Sequence, residues 1–198
     1  MSSQHQNDDF FLIKRYRNGD KNALDTLIKR YQSRLYNVIL KMCSNPDDAM
    51  ELTQDSFVKV IENVDSFEGK SSFYTYLFRV GVNLAINFCN RRKIVRFTTL
   101  DGGDDEGQTS LMDYFQCDEQ CDPSDVLMNK EAVGLLRSAL ESLDEKYRTI
   151  IVLRDIEDMS YERISEILEL EAGTVKSRLF RARMLLKEKL MPFWNDEK

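Results

Sequence analysis

Thr174-Val-Lys-Ser-Arg-Leu-Phe-Arg-Ala-Arg-Met-Leu-Leu-Lys-Glu-Lys-Leu190 is the stretch that decides the fold. Wound as a helix, it carries a basic face and an apolar face. From Ala172 to Met191 six basic residues stand against one acid, Glu188, in a chain whose formal net charge is -6. A locally positive helix on an acidic protein is a place for phosphate to bind, and it points to DNA.

Immediately upstream, Ser160-Tyr-Glu-Arg-Ile-Ser-Glu-Ile-Leu168 reads as a short amphipathic helix with Ser160 at its cap and Ile164, Ile167 and Leu168 facing inward. Glu169 to Gly173 form a brief connection in which Leu170 can plug the angle between helices. Val175 and Leu179 then carry the apolar face of the second helix. This is the spacing of a helix-turn-helix. Two generic packed helices share the pattern, but they have no need of six cations on the second.

The 198 residues are 42% hydrophobic and 31% charged, enough for one larger or two small domains. There is no run of about 18 uncharged apolar residues of the kind that spans a bilayer. The polar start, Met1 to Asp9, is unlike a signal peptide. A cytoplasmic protein is therefore expected, with Cys43, Cys89, Cys117 and Cys121 as thiols. Cys117 and Cys121 are spaced for two metal ligands, yet the lone histidine, His5, lies far off in sequence. No metal and no cofactor is expected.

Charge locates a boundary. Thr98 to Asp125 holds nine acids and no Lys or Arg, so the remainder of the chain carries +3. With Gly102, Gly103, Gly107 and Pro123 and no sustained periodicity, it reads as a linker. Extended at about 3.3 to 3.6 Å per residue, it reaches roughly 90 Å, more than two turns of DNA at about 34 Å each. The fold class expected is all-α: two small helical domains joined by an acidic flexible linker, the C-terminal one containing the helix-turn-helix. The boundaries read as a disordered tail over 1–8, an N-terminal domain over 9–97, the linker over 98–125 and the C-terminal domain over 126–194.

In the first domain, apolar residues from Ala23 to Ile39 recur at three-four spacing, predicting a helix over Asp20 to Lys41. Asn45-Pro46 caps and opens another through about Asn63, with Asp47, Asp48 and Glu51 near its positive end. Its inward set is Ala49, Leu52, Phe57, Val60 and Ile61. The next stretch, Phe67 to Lys93, is dense in aromatics: Phe67, Phe73, Tyr74, Tyr76, Phe78 and Phe88. A glycine-containing loop followed by an aromatic helix ending in Arg91-Arg92-Lys93 suits single-stranded nucleic acid, whose bases stack on rings while cations hold phosphates. Stacking contributes about 1–3 kcal/mol per base. Phe73, Leu77, Val80 and Leu84, spaced 4, 3 and 4, read instead as core; Tyr74 and Tyr76 fit either role.

Four segments together resemble a known family: Asp48-Ala-Met-Glu-Leu-Thr-Gln-Asp-Ser-Phe57, Phe67-Glu-Gly-Lys-Ser-Ser-Phe-Tyr-Thr-Tyr-Leu-Phe-Arg-Val-Gly-Val-Asn83, Asp155-Ile-Glu-Asp-Met-Ser-Tyr-Glu-Arg-Ile-Ser165 and Gly173-Thr-Val-Lys-Ser-Arg-Leu-Phe-Arg-Ala-Arg183. Their order and content are similar to the bacterial extracytoplasmic-function sigma factors, across nearly the whole chain except tail and linker. The resemblance implies a non-enzymatic subunit that binds core RNA polymerase and directs it to promoter DNA. It implies polymerase contacts at Asp48, Glu51, Leu52, Gln54 and Asp55. Phe67, Lys70, Ser71, Tyr74, Tyr76 and Asn83 would capture melted bases of the -10 element, with Arg79, Arg91 and Arg92 on the backbone. Thr174, Lys176, Ser177, Phe180 and Arg181 would meet the -35 element in the major groove, with Arg178 and Arg183 as positioning contacts. It implies, too, an anti-sigma factor as partner, and a linker whose acidity imitates nucleic acid on the way to the polymerase active site.

Departures from the family pattern are Glu169, where a glycine usually ends the first helix of the motif, Glu171 at the opening of the second, and Tyr76 in place of a common Trp. Gly81, inside a helix, costs about 1 kcal/mol against alanine with no role legible in the sequence. A polymerase-independent helix-turn-helix regulator and a metal-using enzyme are the alternatives. The second has neither a phosphate-cradling glycine loop nor a nucleophile–base pair to support it.

Overall fold

The structure, a computed structural model, describes the backbone of residues 3–98 and 133–195. The acidic segment, with Cys117 and Cys121, lies outside the described residues. The regular structure among the described residues is helical, with no strand.

Helix α1 spans Ser3–Arg17 and α2 Lys21–Cys43. The first begins at Ser3, within the stretch that the sequence suggested as a tail through residue 8. The anchor is Asp9, 2% exposed, whose carboxylate accepts hydrogen bonds from Arg30 and Tyr31 of α2. With Leu12 and Ile13 buried one turn on, α1 is fixed to α2 from its middle. Asp20 caps α2 through the Asn22 N–H at 3.0 Å, and its carboxyl is held below the usual range by the Arg15 guanidinium.

Asn45 caps α3, Pro46–Glu62, by accepting from the amides of Asp47 and Asp48. A 3-10 turn over Val64–Ser66 leads to the 67–72 loop and then α4, Phe73–Thr98. Arg17 staples that turn, donating to the carbonyls of Val64, Asp65 and Phe67. Gly81 acquires a physical reason here: a Cβ on it would lie 2.8 Å from Leu35 Cδ1 and 3.1 Å from Ser56 Oγ. The missing side chain is what lets α4 close onto both α2 and α3.

The second half contains a helix described over 133–141 (α5), α6 over Glu145–Ile151, a π-helical turn over Val152–Ile156, α7 over Tyr161–Leu168 and α8 over Ala172–Asn195. Ile150, Leu153, Ile164, Ile167, Val175, Leu179 and Ala182 form its core. The halves pack on each other through α4, which meets both α6 and α7. Arg148, 7% exposed, donates to the carbonyls of Leu140 (2.9 Å) and Leu143 (3.3 Å) at home, and to Met42 (2.7 Å) at the end of α2. Arg137 donates to the Ser44 carbonyl beside it at 3.0 Å. Two guanidiniums of the second half thus satisfy carbonyls at the negative end of α2.

Candidate nucleic-acid interface

Ser160 accepts from the Arg163 N–H at 3.3 Å and starts α7 as the sequence predicts. The helix ends at Glu169, which takes a left-handed conformation with φ 53° and ψ 44°. For a residue with a Cβ, that conformation costs about 1–2 kcal/mol, so the departure from glycine is a real local strain. The Leu170 N–H bonds to the Ser165 carbonyl at 3.1 Å, and Leu170 packs against the core between α7 and α8.

On α8, the buried row Val175, Leu179 and Ala182 turns the opposite row outward. Lys176, Ser177, Phe180 and Arg181 are exposed, Phe180 at 70%. The Lys176 ammonium lies 5.8 Å from the Tyr161 ring of α7. Thr174 is half-buried. Arg183 is exposed but held: its Nε donates to Asp155 at 3.0 Å, and that bond raises its pKa. Arg178 stands apart from the outward row. It is half-buried and lines a cleft of about 350 Å³ with Ile86 and Asn90 of α4 and Glu145, Lys146 and Thr149 of α6.

The face of the first half is built differently. Phe67 and Tyr74 are buried, as are Phe73 and Phe78, so most of these aromatics are core. Phe67 meets Phe73 edge-on at 6.3 Å and Tyr76 at 5.3 Å, and Tyr31 contacts both Phe73 and Tyr74. These rings share one core because Tyr31 of α2 packs against them as a further wall. Gly69, at φ 75°, turns the 67–72 loop, and a Cβ there would lie 3.0 Å from the Phe10 ring. Ser72 caps α4 through the Thr75 N–H at 3.0 Å. Lys70, Asn83 and Arg91 are exposed, while Ser71 and Tyr76 are half-buried.

Tyr74 sits among cations. Its ring stacks on Phe78 at 4.1 Å, with the Arg34 guanidinium 5.4 Å and the Arg163 guanidinium 5.1 Å from its centre. Its hydroxyl is buried and has no hydrogen-bond partner among the described residues, and burial pushes its pKa up to about 12. Arg79 faces α7 as well. Its Nε and Nη2 donate to the Glu166 carbonyl at 3.1 and 2.9 Å, and Nη1 lies 3.1 Å from the Glu169 carboxylate.

A third surface lies on α3. Glu51, Gln54 and Asp55 are exposed on one face, Leu52 is buried beneath them, and Asp48 is half-buried in an ion pair with Arg92 at 2.8 Å. That bond joins two residues which the resemblance assigns to different partners. Sequence reasoning missed Met50 and Val58, 55% and 51% exposed, which extend this face as an apolar row with Gln54 between them. Their signal was present: both fall outside the inward set of α3. Cys43 and Cys89 are packed thiols whose pKa values burial raises, the first to about 12. No grouping of metal-ligating side chains exists among the described residues, and no described helix is long and apolar enough to cross a membrane.

Comparison with known proteins agrees with this layout. Residues 27–94 match the Sigma-70 region 2 family and residues 134–186 the Sigma-70 region 4 family. The chain is 32% identical to the ECF RNA polymerase sigma-E factor of Haemophilus influenzae, covering 91% of this chain and 94% of that one. It is 30% identical to the ECF RNA polymerase sigma factor SigW of Bacillus subtilis, covering 90% and 94%. Among solved structures, it is similar in fold to CnrH in complex with the cytosolic domain of CnrY, with a TM-score of 0.64 at 24% identity over 93% of this chain and 98% of that one. RpoE of Bartonella quintana, in complex with the anti-sigma factor NepR, gives 0.60 at 24% over 84% and 96%. With helical regions of both kinds in order and relatives matched over nearly their full length, the chain belongs to the extracytoplasmic-function RNA polymerase sigma factors, which direct transcription initiation.

Proposed function

We propose that this sigma factor divides promoter recognition between its two halves. Residues 9–97 bind core polymerase and capture melted -10 bases, residues 126–194 read the -35 element in duplex DNA, and the 98–125 segment joins them. The observation that carries this reading is the outward row of α8, Lys176, Ser177, Phe180 and Arg181, held clear of the core by α7. An N-terminal part of a recognition helix with exposed cations, a hydroxyl and an aromatic is equipped to meet both phosphates and base edges.

On α3, Glu51, Gln54 and Asp55 with Met50 and Val58 form a mixed acidic and apolar face for the polymerase. For the -10 element, Lys70, Ser71, Tyr76 and Asn83 are accessible, whereas Tyr74 lies beneath Arg163 of α7 and Phe67 is packed against Phe73 and Tyr76. Arg79 and Arg91 serve the backbone; Arg92 does so on leaving Asp48. The chain works without catalysis of its own, in the cytoplasm. An anti-sigma factor holds it inactive, a reading supported by the NepR complex of the Bartonella relative.

Transcription by bacterial core polymerase on a mixed promoter library, with and without the chain and with Asp55→Ala, tests the proposal. Sequence-selected transcripts that weaken in the variant are the expected result. Failure of the core polymerase to bind the chain or gain start sites, while the chain alone retains duplex DNA, would replace it with a polymerase-independent regulator.

A further inference from the structure

Helix α1 ties two parts of the first half together. On one side it is fixed to α2: Asp9 is buried against Arg30 and Tyr31, Leu12 and Ile13 enter the core, and Arg15 Nε donates to the Asp20 carboxylate at 2.9 Å across the turn between the two helices. On the other side Arg17 and Phe10 reach the segment that leads into α4. Arg17 Nε donates to the Val64 carbonyl at 3.2 Å, and Nη2 donates to the carbonyls of Asp65 at 3.1 Å and Phe67 at 2.8 Å. The last carbonyls of a helical turn run short of donors within it, and the planar, permanently charged guanidinium offers a fork of donors that a lysine lacks.

Phe10 meets the loop itself. A Cβ on Gly69 would lie 3.0 Å from Phe10 Cε2 and 3.4 Å from Cδ2, so the ring rests against the loop backbone at the residue whose φ of 75° turns it. Phe10 is 37% exposed, and the Lys14 ammonium lies 4.7 Å from the centre of its ring. The backbone of 68–71 makes no hydrogen bond among the described residues. Its path is set by Arg17 and the buried Phe67 ring where it begins, by Phe10 at its bend, and by Ser72, the cap of α4, where it ends. Helix α1 lies ahead of residues 27–94, so Arg17 and Phe10 act from outside the stretch that matches Sigma-70 region 2.

We infer that Arg17 and Phe10 of α1 are positioning residues for the 67–72 loop, so that α1 sets the base preference at the -10 element through the loop without itself touching the base. This rests on the reading that Lys70 and Ser71 meet a melted base. A flipped base is read by hydrogen bonds to its edge, and such a site discriminates when its groups are held within about 0.5 Å of the productive geometry by residues behind them. Lys70 and Ser71 directly follow Gly69. A loop free to swing at that glycine presents them in several places and reads several bases alike.

The test uses holoenzyme carrying the full-length chain on two promoter libraries, one randomised at the -10 element with a constant -35 element and the other the reverse. The readout is the ratio of transcript from the preferred base to transcript from the others. A smaller amount of folded chain lowers every promoter alike and leaves that ratio unchanged. Arg17→Ala and Phe10→Ala are compared with wild type and with Lys29→Ala, the loss of an exposed cation of α2. The expected result is about a threefold or greater fall in the -10 ratio for both α1 variants, a modest part of what a well-placed base contact supplies. The -35 ratio and Lys29→Ala stay at wild-type values, and Arg17→Lys falls between. Should Arg17→Ala fail to fold, Phe10→Ala carries the test, because that ring lies outside the core. A joint variant, Lys70→Ala with Ser71→Ala, separates the ways to fail. If it flattens the -10 preference while the α1 variants do not, the loop reading stands and positioning by α1 is overturned. If it too leaves the preference intact, the loop reading falls and the inference with it. Equal losses at both elements in the α1 variants would also overturn the inference, since they show a defect that is not the loop's.

Discussion

The outward row of α8 and the aromatic face of α4 are both candidate DNA surfaces, yet they are built on opposite principles. On α8 the apolar and polar residues segregate to two sides, so Lys176, Ser177, Phe180 and Arg181 can change without disturbing Val175, Leu179 and Ala182. On α4 the same rings serve the core and the surface. Tyr74 is 4% exposed, stacks on Phe78 and touches Tyr31. A duplex-reading helix needs only to be presented, whereas a surface that takes an unstacked base needs a pocket walled by aromatics. Such a pocket is inseparable from packing. Substitutions in α8 therefore report on binding, and substitutions around α4 report on stability first.

The largest effect that separates the two belongs to the first half. Asp9→Ala removes the buried acceptor of Arg30 and Tyr31 and strands their donors, which should cost about 3 kcal/mol of stability, read as a lower denaturant midpoint with unchanged slope. A loss within experimental error would show that α1 is dispensable to the α4 face.

Next in size, Arg181→Ala should leave the unfolding midpoint in place and weaken -35 duplex binding by about 1–3 kcal/mol if the guanidinium meets a base. A phosphate contact would instead lower affinity evenly across sequences and reduce the salt slope by about 1. Electrophoretic titrations of matched and mismatched duplexes at several salt concentrations distinguish these results.

The smallest effect is a pH dependence. Burial raises the Tyr74 pKa from an ordinary 10 to about 12. A raised pKa means that the folded state favours the protonated hydroxyl. That contribution is complete below pH 10 and is lost as pH rises through 12. Tyr74→Phe should therefore gain on wild type in thermal stability from pH 10 to 12 and show no such trend below it. Parallel curves across that window would place Tyr74 in water rather than beneath α7.

Much of the local structure was legible in the sequence because its causes are local. Asn45 and Ser160 cap the helices they precede, and the three-four spacing of α2 marks its buried side. Glu169 stands in the left-handed conformation that a helix end with a usual glycine implies. What the sequence withheld is contact between distant segments. Nothing near Arg148 signals that it completes the end of α2, and nothing near Arg79 names Glu166 as its acceptor. Gly81 looked costly until Leu35 and Ser56 were brought against it. Periodicity says which face of a helix is apolar; it leaves open what covers the face. For that reason Phe67 and Tyr74 were legible as important aromatics and illegible as buried ones, while Met50 and Val58 went unnoticed on the face of α3.

The division of labour between the two surfaces is tested most directly by permanganate reactivity of thymines in a promoter carrying both elements. Holoenzymes with wild-type chain, Arg79→Gln and Arg181→Gln would be compared at equal promoter occupancy. The account predicts that Arg181→Gln needs more holoenzyme to occupy the duplex but then opens it normally, while Arg79→Gln occupies it and leaves the -10 thymines less reactive. Normal opening with Arg79→Gln, or an opening defect confined to Arg181→Gln, would contradict it.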